Sequence, residues 1–152
     1  MSLESNHIFL ADDDKDDCLF FRDAIEELLL PVQLTTVHDG EQLMLHLLKL
    51  TSNLPLALFL DLNMPRKNGH ECLTEIKTNQ SLSSIPVIIF STSYDEHVAD
   101  ELYQEGAHYY ICKPVDFSEL KKVILHALTL LQDCPSQPAK QNFLISKPKT
   151  VL

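Results

Sequence analysis

The sequence predicts an α/β fold, a doubly wound five-stranded parallel sheet with helices on both faces. Short apolar runs alternate five times with longer stretches of helical periodicity. Consecutive strand-then-helix units form parallel pairs, because each right-handed crossover needs a helix to cover it. In such sheets the working crevice lies at the carboxyl ends of the strands. The runs before Asp12, Asp61, Ser91 and Lys113 each stop on a charged or hydroxyl residue at that end.

The first unit is a strand at 7–11 and a helix at 16–30, where Cys18, Phe21, Ile25 and Leu28 share one face and Pro31 marks the stop. A weaker strand at 32–37 leads through Asp39-Gly40 into a helix near 41–50. Residues 56–60, "LALFL", are apolar throughout, as a strand covered on both faces must be. A helix at about 70–77 and a strand at about 87–90 follow, then a helix at 95–105 closed by Gly106. The last strand is "YYIC" at 109–112. Asp116, with Glu119 three positions on, opens a final helix whose apolar stripe is Leu120, Val123, Ile124, Ala127, Leu128 and Leu131. Residues 133–152 carry three prolines and no clear periodicity, which predicts a mobile C-terminal tail beyond a domain at 6–132.

Composition narrows the function. The 152 residues fit one domain, and a hydrophobic fraction of 45% is ample for a single core. With 22 acidic and 12 basic residues the formal charge is −10, the wrong sign for direct nucleic-acid binding. Cys18, Cys72, Cys112 and Cys134 form no C-x-x-C pair and read as separate reduced thiols. No apolar run reaches the ~18 residues of a membrane span, and the start "MSLESNHIF" lacks a signal-peptide pattern. A cytoplasmic protein without membrane contact is expected.

The stretch "IFLADDDKDD" drives an apolar run into five carboxylates and one lysine. Two carboxylates roughly 5 Å apart repel by about 3 kcal/mol at an effective dielectric of about 20, so a cation is expected there. The strand ends gather Asp12, Asp13 and Asp61 with Ser91 and Lys113. One divalent metal and the lysine would neutralise the three acids. Asp14, Asp16 and Asp17 read instead as helix-start acids that favour the dipole.

The acidic pair, "LFLDLNMPRKNG", the hydroxyl after "IPVIIF" and "GAHYYICKP" resemble, in order and interval, the receiver domain of two-component response regulators. The resemblance implies a flavodoxin-like strand order 2-1-3-4-5. It implies a phosphoryl group passing from a sensor histidine kinase or phosphotransfer protein to Asp61, with Mg²⁺ held by Asp12, Asp13, Asp61 and the Asn63 carbonyl. Ser91 and Lys113 then contact the phosphate, and Tyr110 matches an aromatic switch position that turns inward on phosphorylation. A cis peptide is implied between Lys113 and Pro114. Output is implied through the 95–131 face, toward a downstream protein target or a homodimer. Such a protein is a stand-alone phosphoacceptor that assists its own phosphorylation and dephosphorylation, and not an enzyme. Serine at 91, where threonine is commoner, and the bulky His108 and Tyr109 depart from the pattern without removing a needed group. "DLNMPRKNG" and "STS" also resemble receivers partnered with phytochrome-type kinases. The competing enzyme class, a haloacid dehalogenase-type phosphatase, needs a second aspartate where Asn63 stands and usually has its nucleophile on the first strand. A receiver-like scaffold that escapes phosphorylation usually lacks an acid or the lysine, and neither is missing here.

Overall fold

The computed structural model describes residues 6–50 and 53–146. Strands β1 (His7–Ala11), β2 (Gln33–Val37), β3 (Ala57–Leu60), β4 (Val87–Ser91) and β5 (Tyr109–Cys112) alternate with helices α1 (Lys15–Glu27), α2 (Gly40–Leu48), α3 (Gly69–Thr78), α4 (Glu96–Gln104) and α5 (Phe117–Asp133). A further strand, β6 (Leu144–Ser146), follows α5. All neighbouring strands are parallel, in the order β2-β1-β3-β4-β5-β6. The predicted order is therefore present, extended by one strand.

The strands alternate because both faces are buried. On β3, Ala57 and Phe59 face α1 and α5, while Leu58 and Leu60 face α2, α3 and α4. Phe21, Phe59 and Phe90 pack edge to face in the α1/α5 layer, with centroids 4.9 to 6.2 Å apart. Each of the five α-helices opens on a capping side chain, from Asp14, Asp39, Asn68, Asp95 or Asp116. Helix α1 stops earlier than Pro31 requires: Leu28 closes it and Leu29 turns left-handed at φ 54°. Gly69 lets α3 start against the backbone of Asp61, since a Cβ there would lie 2.2 Å from the Asp61 carbonyl oxygen.

The expected mobile tail is corrected over residues 134–146, which fold back along β5 and α4; residues 147–152 lie outside the described residues. The physical reason is a set of bonds no periodicity announces. Gln137 Nε2 donates to the Tyr103 and Ala107 carbonyls, the Tyr103 hydroxyl donates to Pro138, and Lys140 pairs with Asp100 at 3.1 Å. Phe143 is buried against Tyr103 and Tyr110, and Tyr110 N–H donates to the Phe143 carbonyl. This segment is a strap across the α4/β5 side of the molecule. Among the described residues no helix is long and apolar enough to cross a membrane, and all four cysteines are free.

Candidate functional site

Backbone bonds extend the parallel pairing past the strand ends. Asp12 N–H donates to Val37, Asp61 N–H to Ala11 and Lys113 N–H to Ser91, all within 3.0 Å. Three loops are thereby held side by side at the carboxyl edge of the sheet. Asp12, Asp13 and Asp61 each offer a carboxylate oxygen within 4.8 Å of the others. Asp12 and Asp61 are buried, whereas Asp13 is exposed.

Lys113 enters this acidic group from β5. Its ammonium lies 2.6 Å from Asp12 Oδ2, 2.8 Å from Asp17 Oδ2 and 3.4 Å from Asp61 Oδ2. The Phe90 ring beneath it, 5.6 Å from Nζ to centroid, adds a cation–π contact. Burial works against the lysine's charge, but the adjacent carboxylates of Asp12, Asp17 and Asp61 outweigh it and hold the ammonium protonated. Asp61 moves the other way. Burial pushes its carboxyl up, Lys113 pulls it partly back and Asp12 pushes it further, and the balance leaves it at about 6. Asp12 Oδ2 touches the ammonium without hydrogen-bond alignment and has no other donor, although it is fully buried. An oxygen-rich group that includes a buried, unpartnered carboxylate oxygen is a donor set that a hard divalent cation takes. Asp12, Asp13 and Asp61 therefore fit such an ion.

The remaining expected residues sit around this group. Asn63 N–H donates to Asp61 Oδ1 at 3.4 Å. Ser91 is fully buried, and its hydroxyl lies 3.2 Å from that of Ser93 within its own loop. The Tyr110 hydroxyl donates to the Ser93 carbonyl at 2.5 Å, and burial pushes its pKa up to about 12. Tyr110 is already inside, at 1% exposure. The outward position that would precede the implied turn is not the one seen: Ser93, Tyr94 and Phe143 supply a buried seat. The cis peptide expected between Lys113 and Pro114 is also absent, since no described peptide is cis. Lys113 reaches the acids from a trans bond, steadied by its own N–H on Ser91.

Three side chains have roles at the site that the sequence does not announce. Asp17 is a lysine partner as well as a helix-start acid, which needs a contact across 96 positions of chain. His38 Nδ1 and the Cys18 thiol both hydrogen-bond the Asp12 carbonyl, at 3.1 and 3.4 Å. Nothing local in the sequence signals either contact.

Residues 8–125 match the response regulator receiver domain. The chain belongs to this family. The response regulator Rcp1 of Synechocystis sp. is 32% identical over 131 residues, spanning 82% of this chain and 89% of Rcp1. The crystal structure of the phosphorylated cyanobacterial phytochrome response regulator RcpA superposes with a TM-score of 0.74 at 31% identity, covering 86% of this receiver and 96% of RcpA. The Mn²⁺-bound form of Rcp1 superposes with a TM-score of 0.75 at 28% identity, over 88% of this chain and 99% of Rcp1. Receivers bind a divalent metal at an acidic pocket, and the Asp12, Asp13 and Asp61 cluster is consistent with such a pocket.

Proposed function

We propose that this receiver is a cytoplasmic, single-domain response regulator whose Asp61 accepts a phosphoryl group from a histidine kinase or phosphotransfer protein. The likeness to RcpA favours a phytochrome-type kinase as the source. The observation that carries the reading is the Asp61 carboxylate, buried at a strand end between the Lys113 ammonium and two further acids. An Asp61 oxygen attacks phosphorus, the phosphorus–nitrogen bond of the donor phosphohistidine breaks, and the imidazole leaves with the bonding pair. Lys113 pairs with one phosphoryl oxygen and the Ser91 hydroxyl donates to another. Mg²⁺ would be held by the Asp12, Asp13 and Asp61 carboxylates and the Asn63 carbonyl, and would supply further positive charge.

Phosphorylation then biases a two-state surface built from α4, β5 and α5, to which a downstream protein or a second copy binds. Residues 134–146 lie along part of that surface and belong to whatever a partner meets. The reading is tested by incubating the protein with acetyl phosphate and Mg²⁺ and measuring intact mass. One phosphoryl group on the wild type and none on Asp61→Asn is the expected result. Equal labelling of Asp61→Asn would overturn it.

A further inference from the structure

We propose that Asp17 is a positioning residue that holds the Lys113 ammonium on the α1 side of the pocket and so slows the arrival of a phosphoryl group at Asp61. The proposal rests on the receiver reading given above. Asp17 Oδ2 accepts a hydrogen bond from Lys113 Nζ at 2.8 Å, whereas Asp61 Oδ2 lies 3.4 Å away. The lysine therefore engages the helix acid more closely than the acid that must react. Its third acidic neighbour, Asp12 at 2.6 Å, is not aligned to accept a hydrogen bond.

The grip on the lysine is built into α1. Asp14 caps the helix through Oδ1, which accepts from Asp16 N–H and Asp17 N–H at 2.9 and 3.1 Å, and this fixes the backbone from which the Asp17 carboxylate projects. Farther along, Phe20 packs on Phe117 and Glu27 pairs with Lys121, so α1 keeps its register against α5. The Asp17 backbone is thereby fixed, and only its side chain can follow Lys113.

An anionic phosphoryl group at Asp61 needs the ammonium within hydrogen-bond distance. Lys113 must then turn one of its three N–H donors more fully toward that group, and the charge of Asp17 opposes the shift. The Asp17 side chain is 36% exposed, which limits what the pair is worth. Removing its charge by Asp17→Asn should accelerate labelling of Asp61 by acetyl phosphate about fivefold, the factor that corresponds to ~1 kcal/mol.

The test is a double-mutant cycle on the initial rate of labelling, read by intact mass, with Asp17→Asn introduced into the wild type and into Lys113→Met. Acceleration in the wild type and less than about a twofold change in Lys113→Met is the result expected of a residue acting through the lysine. The same acceleration in both backgrounds would assign the effect to general negative charge at the mouth and overturn the proposal. An unchanged rate in the wild type would overturn it too. The ¹⁵Nζ resonance of Lys113, recorded without any phosphoryl donor, should move in Asp17→Asn, and an unmoved resonance would remove the ion pair itself. If the wild type accepted no phosphoryl group, the receiver reading would fail and this proposal with it.

Discussion

Phe143 sits edge-on against Tyr110, with ring centroids 6.2 Å apart, so the aromatic at the switch position is walled by the protein's own C-terminal strap. Truncating a buried phenylalanine costs about 3 kcal/mol or more. Phe143 is the one buried residue of 134–146, and the strap's other ties are hydrogen bonds and a half-exposed ion pair, so Phe143→Ala should detach it before the sheet opens. Exchange of the Tyr110 amide hydrogen, which is bonded to the Phe143 carbonyl, should speed up by about a hundredfold, while β1 and β3 amides keep their protection. Equal losses in β1 and β3 would mean that the strap is an inseparable part of the core.

Ser91 is the expected link between the phosphoryl group and that aromatic. Its hydroxyl touches Ser93 Oγ, and the Ser93 carbonyl holds Tyr110. A hydrogen bond to a charged group contributes about 1.5 kcal/mol or more, which corresponds to roughly a tenfold shift in a two-state equilibrium. Ser91→Ala should therefore still be labelled at Asp61, yet give smaller phosphorylation-dependent chemical-shift changes across residues 95–131. A full response from Ser91→Ala would exclude this hydroxyl as the link.

Mg²⁺ should raise the melting temperature at neutral pH, because it relieves repulsion among Asp12, Asp13 and Asp61 and binds the folded state preferentially. At 100 times the dissociation constant the gain is about 2.7 kcal/mol. Asp13→Ala should lose this shift while melting at or above the wild-type temperature without metal, since one repelling charge is gone. An undiminished Mg²⁺ shift in Asp13→Ala, followed by differential scanning calorimetry, would remove Asp13 from the site.

His108 gives the fold an acid-sensitive point away from the site. Burial lowers its pKa from 6.5 to about 4, Lys77 adds to the push, and the bond from Nε2 to the Pro135 carbonyl resists it. Between those two values the unfolded chain binds a proton that the folded protein refuses. Stability is thus complete above 6.5 and falls as the pH drops toward 4, with about 2 kcal/mol lost by about pH 5. His108→Gln keeps a donor for Pro135 and takes up no proton. Urea unfolding at about pH 7.5 and about pH 5 should show a smaller drop for His108→Gln than for the wild type, and equal drops would mean that other groups carry the acid sensitivity.

The site was legible where chemistry and strand ends coincide. Asp12, Asp61 and Lys113 each follow an apolar run directly, and a parallel sheet brings such ends together whatever the loops do. Asp17 was not legible, because the same residue type at the same helix position serves the dipole equally well. Its second role needs Lys113 to arrive from the far end of the fold. The left-handed Leu29 carried no glycine or asparagine to announce the end of α1. Strand β6 is three residues long and lies beyond two prolines, so composition favoured a tail. What fixes it is tertiary: Phe143 in a pocket prepared by Tyr103 and Tyr110.

That short strand also decides how this flank of the molecule can be read by others. A bare β5 would present a row of free amide and carbonyl groups, the template onto which a foreign strand adds. Here the row is already spent on Phe143, Leu144 and Ser146, and the new border is brief and interrupted by a bulge next to Ile145. Such an edge is a poor template for a foreign strand, which leaves the Lys140–Asp100 ion pair and the exposed polar residues of α4 as the chemistry this border presents. Discrimination among related partners then becomes a matter of surface chemistry, open to change one residue at a time without disturbing the sheet behind it.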